Sequence, residues 1–494
     1  GQTAASMADG TDYGDVGTVS THIHIFTITN SLTNAVGLGP VTTNAVGHPA
    51  DFVVVAQPSS SIGAGTTATF QVRFAPSTTG TRWTDIQFTN TAMTVPYIFR
   101  LQGTGVVEVF DRYVSADSGN DANDGKSWST AKQTIQAAIE DITAGHTVWV
   151  SNGVYETGGV AGYPMATDAL TNRVAIHKAI TVRSMNGADV TVIRGAGPRG
   201  DAAVRCVFMT NGASLIGFTL TNGATRTSGD DGRECSGGGI LCQSINAVVS
   251  NCVIAGNSGV VYGGAVHYGT LWNCVISGNS SALYGGGACF SYLYNCTLIG
   301  NSANSSGGGA SWARLWNCTL VGNMSDDAGG GTYDCVLYNC TVTANTAWRR
   351  GGGAANSLLY NCILYYNTAF DAPNSYNSSF INCCTTPDPG GAGNFTNQPN
   401  IVSLFNPRLV EESVCRNAGD NDFVSWALDR DDEPRTNGAV VDVGSDEYWV
   451  SGITGALTAA IVVESTNWAA GAFVKFKTDI GGRAQGYTWT FGDG

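Results

Sequence analysis

Asparagine followed by cysteine returns every 22 residues, at Asn251 and Cys252, Asn273 and Cys274, Asn295 and Cys296, Asn317 and Cys318, Asn339 and Cys340, and Asn361 and Cys362. A second asparagine keeps the same step at Asn257, Asn279, Asn301, Asn323, Asn345 and Asn367, and so do glycine pairs or triplets around Gly264, Gly286, Gly308, Gly330 and Gly352. Three features locked to one period imply one supersecondary unit stacked on itself. Leucine-rich repeats have similar lengths, but they need an LxxLxLxxN arrangement and commonly a helical side, and neither occurs here. Each unit instead holds short apolar runs such as YNCTLIGN and GGGASWARLW separated by turns. One unit is therefore one coil of a parallel β-helix, with neighbouring coils roughly 4.8 Å apart, the spacing of hydrogen-bonded strands.

Residues one period apart then become vertical neighbours, which gives each repeated residue a structural task. Asparagine at a fixed corner can hydrogen-bond its amide to backbone and to the asparagine of the next coil. Cysteine beside it fills a narrow interior position without a polar penalty. Glycine supplies positive φ or lets one backbone pass close to another. The ladder cysteines therefore read as buried free thiols, with Cys383 one residue short of the step, and CxxC pairs for zinc are missing. Off the ladder lie Cys206, Cys235, Cys242, Cys289, Cys335, Cys384 and Cys415, among which a disulfide remains open. The Asn-x-Ser/Thr sequences at Asn295, Asn317 and Asn339 overlap the ladder and read as a coincidence of repeat composition rather than glycan acceptors.

With 494 residues the chain exceeds one ordinary core, and 65 glycines with only five lysines favour strands and turns. A formal charge of -14 argues against nucleic-acid partners and against lying on an anionic membrane. No run approaches a transmembrane helix, so this segment is expected not to insert in a membrane. The beginning, GQTAASMADG, has no basic segment followed by an apolar one, and the end, YTWTFGDG, stops where a small β domain would still need strands. The chain thus reads as a piece of a longer polypeptide.

Residues 1–105 alternate in short stretches: Phe70, Val72 and Phe74 share one strand face, as do Ile86 and Phe88, which predicts a β-sandwich. His22 and His24 alternate with Ile23 and Ile25 and are expected on the wet face. DYGDVGTVSTHIHIFTITNS followed by FQVRFAPSTTG resembles the immunoglobulin-like ASPM-SPD-2-Hydin module of large surface proteins. Residues 106–448 are expected to form the β-helix, with a short amphipathic helix around Ile135, Ala138 and Ile139 capping the open end of the stack. Its opening, RYVSADSGNDANDG through GHTVWVSNGVY, and its charged ending resemble right-handed parallel β-helix proteins of the broad pectin-lyase-like class, whose members include lyases, hydrolases, adhesins and surface proteins. Residues 449–494 resemble the start of a PKD domain. The fold expected is therefore all-β: a right-handed parallel β-helix of about 22 residues per coil flanked by immunoglobulin-like β-sandwiches.

A lyase on this scaffold needs a base and a cation beside a uronate, and a hydrolase needs clustered carboxylates. Asp326, Asp327, Arg349 and Arg350 come nearest, but Asp327 and Arg349 are one coil apart and read as an inter-coil ion pair. Asp230, Asp231 and Glu234, with Arg233, form a candidate calcium site that lacks EF-hand spacing. Lys178 reads as flanking a strand and His267 as a surface residue, neither with a partner cluster. Trp272, Tyr294, Trp316, Tyr338 and Tyr360 form one column, suited to stacking on itself, to contact with another protein, or to sugar rings. The expected function is an extracellular structural or adhesive segment of a larger surface, stalk or filament protein, of bacterial source, whose partners are other copies or modules of that protein. The competing readings are a secreted polysaccharide lyase or glycoside hydrolase and a non-catalytic carbohydrate-binding protein.

Overall fold

The computed structural model describes residues 4–106, 110–431 and 433–449, together with the backbone of 458–463 and 476–481. Those last two segments form one antiparallel strand pair, Thr458–Val463 with Phe476–Gly481. The PKD-like reading of 449–494 otherwise lies outside the described residues. The chain divides into two compact units, Gly1–Val109 and Phe110–Gly494.

In the first unit, Asp12–Gly17, Tyr97–Val106, Gly80–Phe88 and Thr42–Thr43 form one sheet, and His22–Thr29, Thr67–Phe74 and Phe52–Ala56 another. Phe70, Val72, Phe74, Ile86 and Leu101 fill the space between them and are nearly inaccessible. His22 is exposed as expected, but His24 is half-buried. Phe26 and Ile28 pack against the core and share the parity of His22 and His24, so the isoleucines face water, Ile23 at 47% and Ile25 at 65% exposure. His24 stacks on Tyr13 at 4.1 Å. With a side-chain period of two, the later apolar pair decided the face.

The second unit is a right-handed parallel β-helix. Its first wall has 11 parallel strands, from Arg112–Val114 to Ser379–Ile381; the second has 10, from Gly153–Tyr155 to Cys384–Thr385; the third has 9, from Thr171–Ile176 to Ser375–Tyr376. Registers step by 22 residues through the regular coils, as in Leu271 to Leu293 to Leu315 to Leu337 to Leu359. This leucine column and the second-wall column Ile254, Ile276, Leu298, Leu320, Val342 and Leu364 make one continuous apolar interior.

The two asparagine columns have different tasks. Asn251, Asn273, Asn295, Asn317, Asn339 and Asn361 take φ between 51° and 53° at the sharp corner between the first and second walls, a left-handed conformation that asparagine tolerates better than most residues. The inward amide ladder belongs to the second column. Asn301 donates from its backbone N–H at 3.0 Å and from Nδ2 at 2.9 Å to Asn323 Oδ1, while its Nδ2 also reaches Ile276 O of the coil before at 2.8 Å. The pattern repeats through Asn257, Asn279, Asn323 and Asn345, and at Asn367 passes to Asn374. Glycine serves in both ways expected of it. Gly285 has φ of 63°, while a Cβ on Gly286 would lie 2.2 Å from Ser302 O of the following coil.

Helix α1, Ile135–Asp141, closes the N-terminal end by burying Ile135, Ala138 and Ile139. Thr134 caps it through Ala137 N, and Asp121 accepts from Thr134 N at 2.8 Å. Lys178 does more than flank a strand: its Nζ donates to the carbonyls of Ile139, Glu140 and Ile142 at 2.8, 2.8 and 3.0 Å, neutralising the negative end of the helix.

Asn323→Ala would remove the acceptor of the Asn301 N–H, the side-chain donor to the carbonyl of Leu298 and one of the two acceptors of Asn301 Nδ2. We expect a loss of about 2–4 kcal/mol, given the penalty for buried unpaired polar groups, read as a lower urea midpoint. An unchanged midpoint would show that the ladder contributes nothing.

Candidate functional site

The aromatic column packs on itself. Successive ring centroids from Trp272 through Tyr294, Trp316 and Tyr338 to Tyr360 are 4.0, 4.6, 5.6 and 4.9 Å apart, with planes within 9° of parallel. The chain then covers part of its own ladder: Trp426 lies 4.7 Å from Trp272, and Phe423 lies 4.8 Å from Tyr360. Hydrogen bonds fix this C-terminal segment to the corner asparagines, from Asn317 Nδ2 to Leu428 O at 2.9 Å, Asn339 Nδ2 to Phe423 O at 3.0 Å and Asn361 Nδ2 to Asp420 O at 2.8 Å. Asn317, Asn339 and Asn361 are buried beneath it.

The same segment holds the one group of three carboxylates, among the described residues, whose ligand atoms approach one another within 4.8 Å: Asp429, Asp431 and Asp446. Their geometry suits arginine and backbone donors. Arg408 grips Asp431 through Nη2 and Nε at 2.6 and 2.7 Å, Asp429 accepts from the N–H groups of Asp431, Glu433 and Glu447, and Asp446 accepts from Leu409 N at 2.8 Å. Burial raises the Asp429 carboxyl, whereas at Asp431 the bond to Arg408 and the charges of Arg430 and Arg408 outweigh burial and lower it. Nearby, burial and the charge of Asp442 lift Glu447 from 4.5 to about 7, against hydrogen bonds from Asp442 N and Asn437 N.

In the loop carrying Asp230, Asp231 and Glu234, Asp230 and Glu234 likewise have protein partners. Asp230 pairs with Arg233 at 2.9 Å, Arg233 with Asp168 at 3.1 Å, and Glu234 accepts from Ala169 N at 2.9 Å while facing Arg226 at 3.6 Å. Beneath it Arg205 is fully buried, donating to Gly237 O, Ser236 O and Asn172 Oδ1, and burial lowers its pKa to about 9. With arginines and backbone N–H groups already on Asp230 and Glu234, the loop's donor set does not fit calcium. Asp327 and Arg349 meet at 2.9 Å with side chains 37% and 64% exposed, an inter-coil pair worth at most about 1 kcal/mol. Arg350 turns to Tyr376, whose hydroxyl it reaches at 2.9 Å.

All fourteen cysteines are buried thiols. Burial pushes Cys206, Cys242 and Cys335 up to about 12 and Cys252 and Cys274 well above their ordinary value, so the thiolate needed for oxidation is scarce at these five.

One cleft has groups not used in this way. It has a volume of about 520 Å³ and lies on the third wall, lined by Tyr262, His267, Tyr268 and Phe290 with Arg233 and Gln243. His267, expected at the surface, is only 3% exposed, and its Nδ1 has no hydrogen-bond partner. It stacks on Tyr262 at 5.4 Å and meets Tyr268 at 4.4 Å. The fold class and this cleft define a parallel β-helix with a ring-lined recess in its side.

Residues 117–324 match the family model described as "Protein of unknown function (DUF1565)". No curated protein matches the chain. Among solved structures, the chain is similar to the VesB protease of Vibrio cholerae at 19% identity, over 21% of this chain and 30% of that one, with a TM-score of 0.17. It is similar to an ASH/PapD-like domain of human CEP192 at 13% identity, over 20% of this chain and 82% of that one, with a TM-score of 0.14. A family 123 glycoside hydrolase from Clostridium perfringens shows 8% identity over 29% of this chain and 34% of that one, also with a TM-score of 0.14. The chain spans about 30% of the length of the first of these. Similarities on that scale assign no activity.

The shift at Glu447 fixes a pH dependence. The folded protein holds a proton on this carboxyl where the unfolded chain has lost it, so the contribution of Glu447 to stability is greatest at the acid end and falls as pH rises from 4.5 to about 7. The melting temperature of Glu447→Gln relative to wild type should therefore shift in the variant's favour between pH 5 and pH 8. Equal differences at both pH values would contradict the assignment.

Proposed function

We propose that this chain is an extracellular structural or adhesive segment of a larger surface protein, with the β-helix as its rigid element. The observation that carries this reading is the investment of the repeated residues in continuity. The asparagine amides, the glycine approaches and the leucine column each bind one coil to the next across the regular repeat, and 494 residues carry a charge of -14, which keeps such a surface soluble and free of nucleic acid. Among the described residues no helix is long and apolar enough to cross a membrane. The natural partners on this reading are other modules or copies of the same surface protein.

The polysaccharide lyase and hydrolase readings have less to stand on. Asp230, Glu234 and Asp327 are held by Arg233, Arg226 and Arg349, an arrangement that leaves these three poorly placed to shuttle protons to a substrate.

Limited proteolysis of intact source cells, followed by mass spectrometry of the released peptides, tests the location. We expect peptides from the loops of residues 386–449 to appear before cell lysis. Recovery of the protein solely from the soluble interior after lysis would contradict the proposal.

A further inference from the structure

The cleft around His267 carries an inference beyond a structural role. In the column that links the third wall to the first, Asp334, Asn356 and Asn377 take φ of 54°, 51° and 50°, and these residue types accept left-handed backbone readily. One to three coils earlier the same column holds Trp312, Phe290 and Tyr268 at φ of 49°, 53° and 61°. Bulky rings in that conformation are unfavourable by roughly 1 kcal/mol each, and such strain gathers at ligand-binding positions. The rings are mutually ordered: Phe290 and Trp312 stack at 5.1 Å and 8°, Tyr268 and Phe290 at 5.6 Å and 27°, and Tyr262 meets Phe290 edge-on at 5.5 Å and 74°. They form a corner of flat apolar faces, with Tyr268 itself 38% exposed.

The polar groups narrow the ligand. Burial, with the charge of Arg205 behind it, lowers His267 to about 3, so the imidazole is neutral at ordinary pH and offers one donor and one acceptor. Arg233 is held by Asp168 and Asp230 and keeps positive charge at the rim. That pairing leaves no unbalanced cation for a carboxylate or phosphate, and a quaternary ammonium guest, which the rings alone would suit, has no hydroxyl to offer the unpartnered His267 Nδ1. A cleft of about 520 Å³ falls within the range of small-molecule sites, roughly 300–1,000 Å³. A guest with a flat apolar face and hydroxyls at its edge satisfies both the rings and the histidine.

We propose that the recess lined by Tyr262, His267, Tyr268 and Phe290 binds a pyranose unit of a neutral oligosaccharide, with the sugar face against the rings and a hydroxyl hydrogen-bonded to His267. The chain would then hold a glycan without cleaving it.

The test is calorimetric titration of the full chain with cellohexaose, xylohexaose, mannohexaose and laminarihexaose, and with trigalacturonate as the acidic control. Tyr268→Asn and Phe290→Asn place a residue suited to the left-handed backbone where the ring stood. If the rings serve a ligand, each variant melts at the same temperature as wild type or higher and binds at least one neutral hexasaccharide about tenfold more weakly, the loss expected from one aromatic contact. Trp348→Ala, at a surface residue outside the cleft, leaves binding unchanged. No binding of any neutral hexasaccharide, equal binding by the Asn variants, or preference for trigalacturonate would overturn the proposal. Variants that melt lower than wild type would assign the rings to packing and overturn it as well.

Discussion

A buried asparagine amide that hydrogen-bonds the next coil is the interaction on which the β-helix depends. Stacking strands satisfies the backbone within each wall, but the turn by which the chain leaves the second wall has N–H and C=O groups pointing into an apolar interior. One side chain resolves this at every coil: Asn323 Oδ1 accepts two bonds from Asn301, and Asn323 Nδ2 returns one to Leu298 O and another to Asn345. Each amide completes its neighbour, so the ladder has its full effect only as a series. The close glycine approaches and the narrow cysteine column are consequences of holding adjacent coils at strand spacing.

The C-terminal segment supplies what the repeat lacks. Stacked coils leave one corner with outward asparagines and an aromatic ladder, and residues 415–449 close it through Phe423, Trp426 and the carbonyls of Asp420, Phe423 and Leu428. Buried Arg435 holds that segment together internally through Asp442 O, and Arg408 ties it to the preceding chain through Asp431. Protein contact with the ladder is thus made in part by the chain itself. The third wall bears the unfilled recess, and recognition is more naturally sought there.

What is periodic in this chain was legible in its sequence. The 22-residue step fixed the β-helix, the stacked column from Trp272 to Tyr360 and the Asp327 to Arg349 pair, because vertical neighbours emerge from counting. It found both asparagine columns, yet the division between corner and inward ladder depends on backbone φ, which spacing does not encode. The cover over Asn317 is supplied 111 residues away, by a segment with no repeat. His267 was hidden for a different reason: its equivalents Cys289 and Ser311 are unlike it, although both are buried. A signal was present in the adjacent column, where Tyr268, Phe290 and Trp312 precede Asp334 and Asn356, but its meaning requires knowing that the position is left-handed. Placing His24 on the wet face fails, while His22 at the strand's start stays exposed, because the alternation has to be carried two residues further, to Phe26, before the buried parity shows.

Hydrogen exchange of the intact protein tests the central claim most directly. The account predicts that the backbone amides of Asn257, Asn279, Asn301, Asn323 and Asn345, each donated to the next asparagine, are among the slowest in the chain and exchange together, as a cooperative stack requires. Fast exchange at these positions, while amides within the walls stay protected, would show that the strands hold the coils and that the asparagine ladder is incidental.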